Sequence, residues 1–181
     1  IEIRMLLVKI LLLFLPLLPA HSNWLRIETE QHISFLFPYK PESLRKTIND
    51  IPSYIYQTKN LTTVFGVVCS DFGAKGIEIN NENVQRLYQE LKTGSLSIES
   101  AYLKAERTIP YDNIIIKEIE YSTFKDNHEM TYFKRFIFRD NYVYQITIGG
   151  LTRFLNEIEA EREVFFNSIS FPSPKPAETT K

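Results

Sequence analysis

Few residues in this sequence have the types and spacing that chemistry needs. The histidines are His21, His32 and His128. None has a second ligand at i+2 or i+4, the spacing that sets two imidazoles on one metal, so they read as surface or strand-edge residues. The one cysteine, Cys69, lies in the run Val64-Phe65-Gly66-Val67-Val68-Cys69. No basic neighbour is at hand to lower its pKa, so it reads as a small buried hydrophobe rather than a nucleophile. Asp126, His128 and Glu129 gather in Lys125-Asp126-Asn127-His128-Glu129. Acid–base work or calcium binding would fit them, but a polar connection between two strands accounts for the same residues. There is no G-x-S-x-G elbow, no P-loop and no G-x-G-x-x-G. Six glycines in the chain leave little material for phosphate-cradling loops. No catalytic, cofactor-binding or metal-binding residue is assigned, and no cofactor is expected. Asn60-Leu61-Thr62 is a glycosylation sequon.

The remaining lead is aromatic. The chain has 10 Tyr and 13 Phe, residue types that favour pleated, half-buried surfaces. Tyr39, Tyr54, Tyr56, Tyr132, Tyr142 and Tyr144 are expected to pack on a sheet; exposed together, they would mark a partner surface, because tyrosine is enriched at interfaces. The formal net charge is −1 and basic and acidic residues are interspersed. Such a balance supplies no field for gathering phosphates, which argues against nucleic acid.

The elements that must position these residues follow from periodicity. Residues 1–22 read as a secretory signal peptide. Lys9 is basic, Ile10 to Leu18 form a compact apolar run, and Ala20-His21-Ser22 offers a small-x-small cleavage site before Asn23. The run is short for a membrane span and carries Pro16; the alternative is an uncleaved anchor, the one route by which the chain would meet a membrane. Residues 23–171 then form a single domain, and 172–181, with three prolines, a disordered tail.

Within the domain, Ile33, Phe35 and Phe37 alternate as in a half-buried strand. Ser43–Asp50 reads as a turn or short helix, and Tyr54–Thr58 and Leu61–Phe72 as strands. Val84, Leu87, Tyr88 and Leu91 share one helical face, with Asn80 or Asn81 as cap and Gly94 as stop. Leu96–Ala105 reads as a second helix or a continuation. Ile114–Phe124 is a strand. Met130–Arg139 and Tyr142–Ile148 form a hairpin around Asp140-Asn141, apolar on both faces and so central in its sheet. Gly149-Gly150 is expected to break the strand. Leu151–Asn167 is a helix, packed by Phe154, Leu155, Ile158 and Phe165 on Phe136, Phe138, Tyr144 and Ile146. Ser168–Phe171 is a short terminal strand.

This order, together with Trp24-Leu25-Arg26-Ile27, Ile33-Ser34-Phe35-Leu36-Phe37-Pro38 and the closing Phe165-Phe166-Asn167-Ser168-Ile169-Ser170-Phe171, resembles the PsbP-like (Mog1/PsbP, DUF1795-type) domains over most of residues 24–171. The resemblance implies an α+β fold, an antiparallel β-sheet with helices packed on both faces. It also implies an exported, periplasmic or secreted accessory protein. The function expected is a non-enzymatic binding or assembly module with a protein partner in the envelope or extracellular space. The alternative is a hydrolase whose site is assembled from distant Asp, Glu and His residues.

Overall fold

The computed structural model describes residues 23–172. The expected signal segment, residues 1–22, lies outside the described residues, as do positions 173–181 of the expected tail. The elements run β1 (Leu25–Glu28), β2 (Ser34–Phe37), β3 (Glu42–Ile48), β4 (Ile51–Lys59), β5 (Val64–Asp71), α1 (Val84–Ser95), β6 (Tyr102–Ile109), β7 (Ile115–Lys125), β8 (His128–Arg139), β9 (Tyr142–Leu151) and α2 (Leu155–Asn167). β1 and β2 form a two-stranded ribbon, and the other seven strands one sheet in the order β3-β4-β5-β9-β8-β7-β6. All neighbouring strands are antiparallel. β9 is the central strand, where the two-sided apolar pattern of the β8–β9 hairpin predicts it.

Three hairpins turn on pairs of Asn and Asp. Asn49-Asp50, Asp126-Asn127 and Asp140-Asn141 all have positive φ at both residues, between 49° and 65°. Their short polar side chains tolerate the left-handed region, and turns of this hand match the twist of the strands they join. Asp126 and Asn127 are thereby explained as the turn between β7 and β8.

The core divides into two clusters, and β8 and β9 give alternate residues to each. Val84, Leu87 and Tyr88 of α1 pack with Ile119, Tyr121, Phe136, Phe138 and Val143. Ile158, Phe165 and Phe166 of α2 pack with Phe133, Ile137, Tyr144, Ile146 and Ile148, and with Ile33, Phe35 and Phe37 around β2. Phe165 is fully buried and lies within 5.5 Å of both Phe37 and Phe65, centroid to centroid. Arg135 lies 4.4 Å from the Phe166 ring centroid and Arg162 4.2 Å from that of Phe133, so two guanidiniums help seat α2. The buried carboxylate of Glu118 bonds Arg135 at 2.6 Å and Arg107 at 2.9 Å.

Several expectations are corrected. Ser43–Asp50 is not a helix, and only Asn49-Asp50 of it is a turn, the rest being strand β3; much of Leu96–Ala105 belongs to the approach and start of strand β6. Both are edge strands, largely exposed and charged, so neither carries the one-sided apolar pattern by which a strand is recognised. Gly94 lies inside the last turn of α1 rather than beyond it. Asn80 does not cap α1 directly; its Oδ1 accepts from the N–H groups of Glu82 and Asn83, one turn earlier. Gly149 and Gly150 do not break β9 but continue it. Phe136 and Phe138 pack with α1, not with α2, because they alternate with Phe133 and Ile137 along β8. The terminal segment makes a single bridge, Ser170 to Ser34, and so joins β2 rather than the seven-stranded sheet.

Candidate functional site

The six tyrosines do not form one surface. Tyr144 is fully buried and its hydroxyl donates to the Gln31 carbonyl at 2.7 Å. Tyr142 stacks on Tyr144 at 5.7 Å, and Tyr56 donates to Gln31 Oε1 at 2.7 Å. Burial pushes the Tyr56 and Tyr142 hydroxyls up to about 12, so they remain donors within a packed network. Tyr54 is half-buried beside them, with Arg45 5.3 Å from its ring. Tyr132 belongs to the other cluster and stacks on Tyr121 at 5.3 Å. Tyr39, at 59% exposure, is the most solvent-facing of the set. Hydrogen bonding and ring stacking use most of these side chains inside the fold, and they are not exposed together.

The other sequence candidates also resolve into structure. Burial holds the Cys69 thiol protonated well above its ordinary range. Glu129 accepts from the Tyr102 hydroxyl and pairs with Lys104 at 3.1 Å, and these donors hold its carboxyl below the usual range. Asn60 Nδ2, the atom a glycan would occupy, donates to Glu161 at 2.6 Å, while its Oδ1 accepts from the N–H groups of Thr62 and Thr63. A glycan there would break the tie between that loop and α2.

What the sequence does not display is a groove beside α1. The helix is anchored over β6 to β8. Tyr88 packs edge-on against Phe136 at 5.5 Å and hydrogen-bonds Glu106 of β6, and Lys92 pairs with the same carboxylate at 3.1 Å. These contacts hold α1 toward one half of the sheet. Among the described residues no helix covers the half built from β3, β4 and β5 on α1's side, and β5 shows the consequence residue by residue. Phe65, Val67 and Cys69, in α2's cluster, are at most 2% exposed. Val64 is 41% exposed, and Gly66 and Val68 are half-buried. Strand alternation puts this second set on the opposite side, and register continues it through Ile55 and Leu44.

A cavity of about 630 Å³ lies between this face and α1, lined by Ile48, Ile51, Phe72, Leu91, Ile98 and Lys134 among others. A second of about 580 Å³ lies farther along the same strands, lined by Ile55, Val64, Gly66 and Val68 among others. Lys134 is the polar centre of the first. Its Nζ lies 3.0 Å from Ser95 Oγ, and Ser95 in turn donates to the Leu91 carbonyl at 2.9 Å. Because the serine's only proton goes to that carbonyl, Lys134 must be the donor in the pair. The arrangement is a cation held by a hydroxyl, not a base activating a nucleophile. Among the described residues Lys134 forms no ion pair. Burial without a carboxylate draws its pKa down to about 8. Alternation along β8 predicts the side on which Lys134 lies; its lack of an acidic partner depends on what α1, β7 and β9 place around it and has no local signal.

The comparisons with known proteins agree at the level of fold. The cyanobacterial PsbP (CyanoP) of Synechocystis sp. PCC 6803 is similar with a TM-score of 0.58 and 11% identity, over 83% of this chain and 94% of that one. PA94 of Pseudomonas aeruginosa, a protein of unknown function, is similar with a TM-score of 0.51 and 12% identity, over 85% of this chain and 100% of that one. LpqN of Mycobacterium tuberculosis, involved in cell envelope biogenesis, superposes more loosely, with a TM-score of 0.46 and 12% identity over 83% of this chain and 80% of its own. No family model and no curated protein sequence matches the chain. The fold is PsbP-like, as the sequence resemblance implies.

Proposed function

We propose that this chain is an exported binding or assembly module, with one helix on each face of a PsbP-like sheet and its working site in the groove beside α1. The observation that carries the reading is the asymmetry of β5, whose residues are sealed toward α2 and half-open toward α1. A mostly apolar cleft with a few placed polar groups is the usual form of a ligand site, and 630 Å³ falls within the ordinary size range. The two helices on opposite faces are inferred from the alternation of the two core clusters along β8 and β9. Export is inferred from the basic, apolar and small-residue order of residues 1–22. The wiring of Ser95 and Lys134 supports binding over hydrolysis, since the hydroxyl proton is already committed to Leu91.

Photocrosslinking in the native host tests this. A photoreactive residue at Ile98, on the groove rim, is expected to give a specific adduct in the envelope or secreted fraction. The same residue at Glu159, exposed on α2, is expected to give none. Adducts at Glu159 alone, or at neither position, would contradict the groove. The protein recovered is expected to begin at Asn23; an intact Met5 terminus would contradict cleavage.

A further inference from the structure

We infer that the groove takes a monomeric, single-chain anionic amphiphile, with its alkyl chain along the uncovered face of β5 and β4 and its carboxylate on Lys134. This rests on the groove being the binding site, and it specifies what the groove is shaped and charged to hold.

The length of the open face comes first. Ser70 and Gln145 line the first cavity, and Val68 and Thr147, their next same-side neighbours on β5 and β9, line the second. The half-buried to exposed stretch of β5 from Val68 to Val64 spans roughly 13 Å at the rise of a strand, and the buried Ser70 lines the first cavity just beyond it. A strip this long and narrow suits an extended chain better than a compact ring system. Its walls are suitable too, because Ile48, Ile55, Val68 and Ile98 present aliphatic surface that gains by leaving water.

The head group follows from Lys134. Its ammonium has three N–H donors, of which Ser95 accepts one. Leu91, Tyr121 and Val143 line the same cavity, and the other charged residues lining it, Arg86 and Glu90, already pair with each other at 2.7 Å. A half-buried cation without a counter-charge is costly, and an anionic oxygen supplies both the charge and the missing acceptors. A neutral or cationic head would leave that cost in place. Its lowered proton affinity is what burial produces when the described partners are a hydroxyl and, at 5.4 Å, the Phe136 ring rather than a carboxylate.

A free amphiphile fits better than a bilayer surface. The net charge is −1, and the rim carries the Arg86–Glu90 ion pair at one end and only Lys40 and Lys59 beside Glu42 at the other, short of the cluster of about four or more cations by which a face is drawn onto anionic lipid.

Calorimetric titration of the purified full chain, below micelle-forming concentrations, tests the inference with dodecanoate, dodecanol and dodecyltrimethylammonium. Dodecanoate is expected to bind one to one, about 10-fold or more tighter than dodecanol, the margin of one charge-assisted contact. Lys134→Met is expected to bind dodecanoate and dodecanol alike, and Lys134→Arg to retain the preference. Val68→Trp, which fills the open strip, is expected to weaken every chain. Affinity indifferent to the head group, an unaltered preference in Lys134→Met, or binding to anionic vesicles alone would overturn the amphiphile. If groove crosslinks persist with no dodecanoate bound, the ligand class fails and the groove stands; if the Ile98 crosslink is also lost, both fail.

Discussion

Lys134 shows how a residue's chemistry is set by what surrounds it rather than by its neighbours in sequence. Its strand neighbours Phe133 and Arg135 point into the other cluster, and its environment comes from Ser95 on α1, Tyr121 on β7 and Gln145 on β9. The charged form is disfavoured in the fold, with a pKa near 8 against 10.5 for an ordinary lysine. Between those values the unfolded chain holds a proton that the folded chain has released, so this residue's contribution makes stability rise with pH across the window. Buried tyrosines such as Tyr121 act in the opposite sense above about pH 10, since their folded pKa values are raised. The expected outcome is therefore a difference between two proteins. Urea melts of the native chain relative to Lys134→Met should show the native chain gaining stability from pH 8 to pH 10. Parallel curves would mean that the ammonium is solvated.

At the scale of elements, legibility follows burial. β2, the β8–β9 hairpin and α1 could be read because each presents a buried face with its own period, and Ile33, Phe35 and Phe37 are all fully buried. β3 and β6 could not, because an edge strand exposed on both sides has no face to mark. Gly149-Gly150 misled for a different reason. A pair of glycines reads as a break, yet these residues stay in β9 because other atoms occupy the space of a side chain. A Cβ on Gly150 would lie 2.2 Å from the Thr62 carbonyl oxygen, and one on Gly149 2.3 Å from the Tyr132 ring. Gly66 differs, since a Cβ there would meet nothing within 4 Å. Gly150→Ala is expected to cost several kcal/mol, about 3 or more, because backbone must move. Gly66→Ala is expected to fall within about 0.5 kcal/mol of the native chain or above it, because alanine in a strand loses less backbone entropy. Chemical denaturation of the two variants measures this, and equal losses would contradict the open face at β5.

On the scale of the whole molecule, the proposed placement of one helix on each face makes the sheet a partition between a finished side and an unfinished one. Toward α2 the core is closed by aromatic packing, by the β1–β2 ribbon and by two guanidiniums over phenylalanine rings. Toward α1 the cover stops partway, and the remainder is the groove. The sequence could indicate the class of fold and both helices, but not this asymmetry. That depends on where Glu106 and Phe136 hold α1, and those residues lie 18 and 48 positions from the Tyr88 that joins them. Binding at the open half of α1's face is the proposal on which the rest depends. Hydrogen–deuterium exchange of the full chain, with and without dodecanoate, addresses it most directly. Binding in the groove is expected to add protection in α1 and in β3 to β5, with α2 unchanged. Protection confined to α2 and the β1–β2 ribbon, or none anywhere, would contradict it.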